Sequence, residues 1–154
     1  MSQICEIEYE NFETEESSKI IEKIIKGEWN DILNKFCKVI DDKIILNYLY
    51  FKHFATKETY QIIINFISNN IDLVLNKYHY FIVHANIKNL TVVELDKHKF
   101  FIRTMSVFLK EKYQNKMEKC FIYNAPMIFS QIYNFVSLFI DKETLLKIKL
   151  VLSK

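Results

Sequence analysis

Residues 120–151 read CFIYNAPMIFSQIYNFVSLFIDKETLLKIKLV. This stretch begins as a run of β-branched and aromatic residues that ends at Asn124. The only proline of the chain, Pro126, follows, and proline suits the first turn of a helix, with Asn124 as a candidate cap. Apolar residues then recur three and four positions apart as far as Ile140. This spacing predicts a long helix that is apolar on more than one face.

The rest of the chain alternates strands with helices around that segment. Besides a strand over 120–124, the periodicities predict helical turns over 18–40 that break near Gly27, a strand over 43–51, a helix over 55–77, a strand over 78–85, a helix over 98–113, a short helix over 142–148 and a last strand over 147–154. Strands that alternate with long helices are typical of the α/β class with a mostly parallel sheet. We expect residues 1–17 to form a flexible acidic arm and residues 18–154 to form a single domain.

Composition and cysteine usage narrow the class of protein. Half of the 154 residues are hydrophobic and 26% are charged, the balance of a globular chain with a core of its own. No apolar run reaches the roughly 18 residues of a membrane span, and the start MSQICEIEYE has neither the basic nor the apolar part of a secretory signal. The three cysteines lie far apart, which favours reduced thiols. A cytoplasmic protein is expected.

The charges of the chain are unevenly distributed. Residues 1–18 contain six Glu and no Lys or Arg, whereas residues 97–154 contain 11 Lys or Arg and four Asp or Glu. A basic half indicates an anionic partner such as a phospholipid surface, although a solvated lysine-rich surface explains the charge equally well. Arg103 is the only arginine, which argues against readout of nucleic-acid bases.

The sequence offers no pattern that supports catalysis. A single glycine cannot build a phosphate-binding loop, and no G-x-S-x-G motif surrounds either Ser106 or Ser130. The four histidines lack the spacing of a zinc site, so they are interpreted as structural or surface residues. We therefore predict no enzymatic activity, no cofactor and no metal.

Residues 120–148 resemble the CRAL-TRIO family, which includes the yeast phosphatidylinositol-transfer proteins. The resemblance rests on Asn124-Ala125-Pro126, on the aromatic helix that follows, on Phe139-Ile140-Asp141, and on Thr144 with Lys147-Ile148. Tyr113 with Met117, and YFIVHANIKNL at 80–90, resemble the preceding helix end and strand. The resemblance covers roughly residues 30–152. It implies a sheet that is flanked by helices and forms the floor of an apolar cavity. An apolar gate helix would cover this cavity.

The resemblance also implies a role for the apolar helix that follows Pro126. Helical spacing alone favours simple packing against the sheet, whereas in the family this segment swings to admit one lipid. The implied pocket and gate residues are Phe81, Phe129, Ile132, Tyr133, Val136 and Phe139. These side chains would cover acyl chains or touch the bilayer.

The head-group residues are implied in the same way. The family lysine that precedes Ile helps to bind inositol phosphate, and Lys147 occupies that position, with Lys149 close by in sequence. The family pattern Tyr-Pro-Glu-Arg corresponds to Tyr113-Gln114-Asn115-Lys116, which places Asn115 and Lys116 near the head group. Lysines near an anionic membrane surface support transient, peripheral docking.

Departures from the family pattern leave two functional hypotheses open. The hydroxyl positions that phosphatidylcholine-binding members use are His79 and Phe81, which argues against this lipid. The first hypothesis is binding or transfer of phosphatidylinositol or a phosphoinositide. The second is a non-transferring protein-interaction module, for example one that binds a small GTPase. The short chain also suggests a homodimer that completes the cavity wall.

Overall fold

The computed structural model of the protein describes residue 12 and residues 14–151. Its helices are α1 (Ser17–Ile25), α2 (Trp29–Phe36), α3 (Tyr48–Phe54), α4 (Tyr60–Leu75), α5 (Val92–Lys97), α6 (Lys99–Lys112), α7 (Phe129–Val136) and α8 (Lys142–Leu145). Its strands are β1 (Cys37–Ile40), β2 (Lys43–Asn47), β3 (Phe81–Asn86), β4 (Met117–Tyr123) and β5 (Ile148–Val151). The expected alternation of strands and helices is confirmed.

The described strands form one sheet in the order β1-β2-β3-β4-β5. Strands β2 to β5 run parallel, and β1 joins the edge as an antiparallel hairpin partner of β2. The predicted class, α/β with a mostly parallel sheet, is therefore confirmed. Each parallel pair is joined through helices, as the geometry of a parallel crossover requires.

The two faces of the sheet bury different clusters of side chains. One face, with Ile44 and Phe81 among its buried residues, packs beneath α2, α3, α4 and α6. The opposite face contributes Ile45, Ile82, Phe121, Tyr123 and Val151, and Phe12 packs on Tyr123 with a ring-centroid distance of 5.0 Å. Alternate residues of each strand therefore serve two separate layers, as a pleated strand dictates.

Asparagine and aspartate make most of the left-handed turns in this glycine-poor chain. Asp41, Asn89, Asn115 and Asn124 have φ values of 55°, 69°, 63° and 56°. These are the non-glycine residues that tolerate that conformation best. Gly27, with φ 79°, ends α1 where the amide of Gly27 bonds the Ile24 carbonyl and that of Glu28 bonds the Lys23 carbonyl. The predicted break near Gly27 is thus a Schellman-type helix end.

Several predicted boundaries are wrong. Residues 37–40 form strand β1 instead of continuing the helix, because Asp41 turns the chain back into β2. Residues 48–51 belong to α3, where the Asn47 side chain accepts from the Leu49 amide at 3.2 Å and caps the helix. Residues Val92–Lys97 form helix α5, which the sequence pattern did not predict.

The acidic arm lies largely outside the described residues. Of its described residues, Phe12 is buried, and Glu15 forms ion pairs with Lys23 and Lys35. The hydrogen bond from Lys35, more than the nearby charge itself, holds the pKa of the Glu15 carboxyl below its usual value. The start of the described chain is thus tied to α1 and α2.

Candidate functional site

A cavity of about 650 Å³ lies between the sheet and its covering helices. Its floor comes from Ile44 and Leu46 of β2, from Phe81, Val83 and Ala85 of β3, and from Met117 and Cys120 of β4. Its walls come from α4, α5 and α6, and Ile132, Val136 and Ile140 cover it from the α7 side. The volume falls within the range of about 300–1,000 Å³ that is usual for ligand sites.

The gate segment, residues 126–140, lies over this cavity. Helix α7 spans only eight of these residues and begins at Phe129, so the expected long helix is shorter than its apolar spacing predicted. Asn124 does not cap it, because the cap position is Ile128, four residues later. The Asn124 side-chain amide instead donates to Asn86 Oδ1 at 2.9 Å and links the ends of β4 and β3. All of α7 is described, and none of its residues is buried.

The gate segment rests on α6 through two cation–π contacts. Lys99 Nζ lies 5.8 Å from the centroid of Phe135, and the Arg103 guanidinium lies 5.7 Å from that of Phe139. The two rings meet edge to face with centroids 5.2 Å apart. At exposed sites such contacts contribute only about 0.5–1 kcal/mol each. These two contacts therefore hold the gate segment on α6 only weakly.

The structure brings three of the six expected pocket and gate residues to the cavity. Phe81, Ile132 and Val136 line it, whereas Phe129, Tyr133 and Phe139 do not. Phe129 and Tyr133 instead lie near each other, with ring centroids 6.3 Å apart. The inward stripe of the segment is Ile132, Val136 and Ile140, at spacings of four residues.

Of the expected head-group residues, Lys147 and Asn115 line the cavity and Lys116 and Lys149 do not. Lys149 pairs in register with Phe121, whose ring belongs to the opposite face of the sheet. Because paired residues of neighbouring strands point to the same face, Lys149 points away from the cavity. Lys116 is exposed, and its carbonyl accepts from the Phe81 amide at 2.9 Å.

Lys147 belongs to a polar end of the cavity that the sequence reading did not fully find. Lys110 of α6 and Asp141 and Thr144 at α8 also line this end. Thr144 Oγ1 donates to Asp141 Oδ1 at 2.6 Å, and this bond lowers the pKa of the Asp141 carboxyl, with a smaller contribution from Lys110. Two lysines and one carboxylate leave this end cationic, which suits an anionic group.

A hydrogen-bond network fixes the C-terminal end of α6 beside this site. Tyr113 Oη donates to Asp72 Oδ1 at 2.7 Å and lies 2.7 Å from Ser68 Oγ, both on α4. Lys112 Nζ also donates to Ser68 Oγ, at 2.7 Å. This network anchors the turn that carries Asn115 into the cavity wall.

The cavity has a second polar group, which the sequence reading missed. Tyr48, Glu94 and His98 all line it, and Tyr48 Oη donates to Glu94 Oε2 at 3.3 Å. Burial, with help from Glu94, raises the pKa of Tyr48 above its usual value. Nothing in the sequence spacing of these residues marks them as neighbours, because α3 and α5 are separated by a strand and a long helix.

The remaining chemical features of the cavity are inert. Cys120 is a free thiol whose pKa is raised to about 12 by burial, so the thiol stays protonated. Cys37 is also free, and Cys5 lies outside the described residues. No set of three potential metal ligands comes together within the described part of the chain. None of the helices that the structure describes has both the length and the apolar character needed to cross a bilayer.

Comparison with known proteins agrees with this architecture. The crystal structure of Sfh5 superimposes with a TM-score of 0.55 and 15% sequence identity, over 86% of this chain and 58% of that one. At this identity the likeness shows the fold alone, and the chain spans less than two thirds of its neighbour. No curated protein sequence matches the chain. A sequence model of the CRAL/TRIO domain matches residues 41–154, and the chain therefore belongs to the CRAL-TRIO family, whose domains bind lipids.

Proposed function

We propose that this protein binds one phospholipid, with phosphatidylinositol or a phosphoinositide as the preferred ligand. The observation that carries the proposal is the 650 Å³ apolar cavity with Lys147 at one polar end. Acyl chains are stabilised when apolar walls replace the water around them. The Lys147 ammonium, with Lys110 and the Asn115 side chain, offers a phosphate a cationic and hydrogen-bonding environment.

Loading of the cavity requires the gate segment to move. Its side chains are only partly buried, and its cation–π contacts to α6 are weak, so displacement costs little free energy. Met127, Leu138 and Leu146 in and beside this segment are 102%, 73% and 72% exposed. Together with the lysines around them, they form a surface suited to transient contact with an anionic bilayer. The protein then acts peripherally, and exchange of lipid between membranes follows if the gate segment also opens on the second membrane.

We also predict that the protein has no enzymatic activity and that it forms a homodimer. The first accords with a family of lipid-binding domains. The second is checked by light scattering at micromolar concentration, where a monomer would count against it. The interaction-module hypothesis shares the fold but requires no lipid in the cavity, so lipid binding itself distinguishes the two.

A pair of lysine variants tests the head-group assignment. The Lys147→Ala variant should take up phosphatidylinositol from vesicles about tenfold less well, because the phosphate loses its ammonium partner. The Lys149→Ala variant removes the same charge two residues away, on the face that points away from the cavity, and should stay within about twofold of the unmodified protein.

The readout is the amount of radiolabelled phosphatidylinositol that stays with the protein after the vesicles are pelleted. Equal uptake by both variants and the unmodified protein would contradict the role of Lys147. A protein that takes up no phospholipid at all would instead favour the interaction module.

A further inference from the structure

The face of the sheet that points away from the cavity, here called the outer face, is buried without a layer of helices. Its centre consists of five residues that are at most 8% exposed, namely Ile45, Ile82, Phe121, Tyr123 and Val151. None of the helices that the structure describes contributes an apolar residue to this cluster. The described apolar side chains that pack onto it are Phe12 and the partly buried Tyr80.

Phe12 covers only part of the outer face. Its ring lies over Tyr123 of β4 with centroids 5.0 Å apart, whereas Ile45 belongs to β2, two strands further along the sheet. Neighbouring strands are about 4.8 Å apart, so about 10 Å separate the two strands. Ile45 is nevertheless only 2% exposed. Further chain over β2 and β3 explains this burial.

Two segments outside the described residues adjoin the outer face, and only one is long enough to supply this cover. Residues 152–154 follow Val151 on the edge strand β5 and span at most about 10 Å, less than the roughly 14 Å from β5 to β2. Residues 1–11 precede Phe12, which already lies on the outer face, and can span about 36 Å. Residues 1–11 are therefore the segment that reaches Ile45.

The sequence before Phe12 suits a position on an apolar surface. Residues 5–10 read CEIEYE, in which apolar side chains alternate with glutamates. Alternation with a period of two is typical of an extended chain that buries one side. One row, Cys5, Ile7 and Tyr9, can face the sheet, while the glutamates face outwards.

Lysines surround the apolar centre of the outer face. Lys38, Lys43, Lys119 and Lys149 pair in register with residues of that centre, so all four point to this face. Lys43 also forms an ion pair with Asp42 at 3.0 Å. The long stems of lysines let the ammonium groups rise beside a segment that lies on the sheet. The rim of the outer face is therefore cationic and complementary to the outward glutamates.

We propose that the outer face of the sheet is a docking surface for the acidic N-terminal segment of the same chain, residues 1–11. Ile7 and Tyr9 pack on the apolar centre, and the glutamates lie beside the lysine rim. The ion pair of Glu15 with Lys35 fixes the chain that follows. The segment thus takes the place of a helical layer. This docking does not depend on lipid binding, which the proposed function places on the other face of the sheet.

Hydrogen exchange of the whole 154-residue chain, followed by mass spectrometry of its N-terminal peptide, tests this docking. At low salt the amides of residues 4–11 should exchange at least about tenfold more slowly than in the unfolded chain, because docking shields them from water. Exchange at the rate of the unfolded chain would overturn the proposal.

Charge reversal then identifies the docking surface. The Lys119→Glu, Lys149→Glu double variant places like charges beside the glutamates and should bring the exchange within about threefold of the unfolded chain. Lys149→Glu alone, at an exposed position, should give part of this effect. The Lys57→Glu, Lys77→Glu variant changes the net charge equally at exposed positions that flank α4, and should keep the protection. The amides of α4 report in the same experiment that each variant is folded.

The outcomes separate the outer face from other seats for the segment. Protection that survives in the folded Lys149→Glu and Lys119→Glu, Lys149→Glu variants would overturn the outer face as the docking surface. Protection that appears only at high protein concentration would place the segment on a second copy and overturn docking within one chain. The expected result is protection that is independent of concentration, lost on the outer face and kept in the α4 control.

Discussion

At the scale of single residues, the buried imidazole of His84 links the fold to pH. It lies on the face of the sheet that points away from the cavity, fully buried, with Nδ1 2.8 Å from Tyr123 Oη and its ring stacked on Phe121. Nε2 has no hydrogen-bond partner within the described residues. Burial, and then the nearby charge of Lys43, lowers the pKa of His84 from 6.5 to about 4.

The stability of the protein should therefore fall as the pH drops from 7 to 5. A histidine whose pKa is lowered by folding binds protons more strongly in the unfolded chain, so its contribution is present above pH 6.5 and is lost towards pH 4. Between pH 7 and 5 this loss is on the order of 2 kcal/mol of unfolding free energy. Urea denaturation at the two pH values measures it.

Two histidine variants identify the source of this pH dependence. His84→Gln removes the titrating group and should flatten most of the change, and the buried His98, whose pKa is also lowered, accounts for part of the remainder. His79→Ala changes an exposed histidine and should keep the full dependence. An unchanged pH dependence in His84→Gln would contradict the role given to His84.

At the scale of elements, the gate segment exposes apolar side chains that a binding partner would cover. Met127 and Leu138 expose apolar side chains on either side of α7, while Ile132 and Val136 point into the cavity. A segment that is apolar on both sides and contains no buried residue is a weak core element but a suitable membrane contact.

Loss of these two exposed side chains should weaken membrane docking. Full burial of one Leu or Met side chain contributes about 1.5–3 kcal/mol, so partial insertion of two makes the Met127→Ser, Leu138→Ser double variant bind anionic vesicles about tenfold more weakly or worse. Sedimentation with vesicles that contain phosphatidylinositol measures this affinity. Leu73→Ser, which changes a 58% exposed side chain on α4, is the control. Equal losses in the two proteins would show that the effect does not belong to the gate segment.

The sequence predicted elements well where one local signal dominated. The isoleucines of α4 and the β-branched run of β3 lie at the spacing that burial requires, and both elements were predicted in type and approximate place. The run KIILNYLYF was predicted as one strand, but Asn47 caps a helix there and the aromatic residues of α3 pack into the core. Tertiary packing overrode a β propensity that is only weakly intrinsic.

At the scale of the whole molecule, the cavity combines predicted and unpredicted parts. The resemblance pointed to Lys147, Asn115, Phe81, Ile132 and Val136, and the structure places all five in the lining. It also pointed to Lys149, yet a strand reverses its side chain with each residue, and the register with β4 turns Lys149 to the opposite face. The contact between Tyr48 and Glu94 could not be predicted from spacing, because the two residues meet only through the fold.

Native mass spectrometry of the purified protein is the sharpest test of phospholipid binding in the cavity. We expect the protein to carry one phospholipid of the phosphatidylinositol class per chain, either as purified or after incubation with vesicles that contain it. Because the cavity and its gate belong to one chain, the lipid should be present at one copy per protomer even in a dimer. A protein that is free of lipid in both cases would contradict phospholipid binding and favour the protein-interaction module.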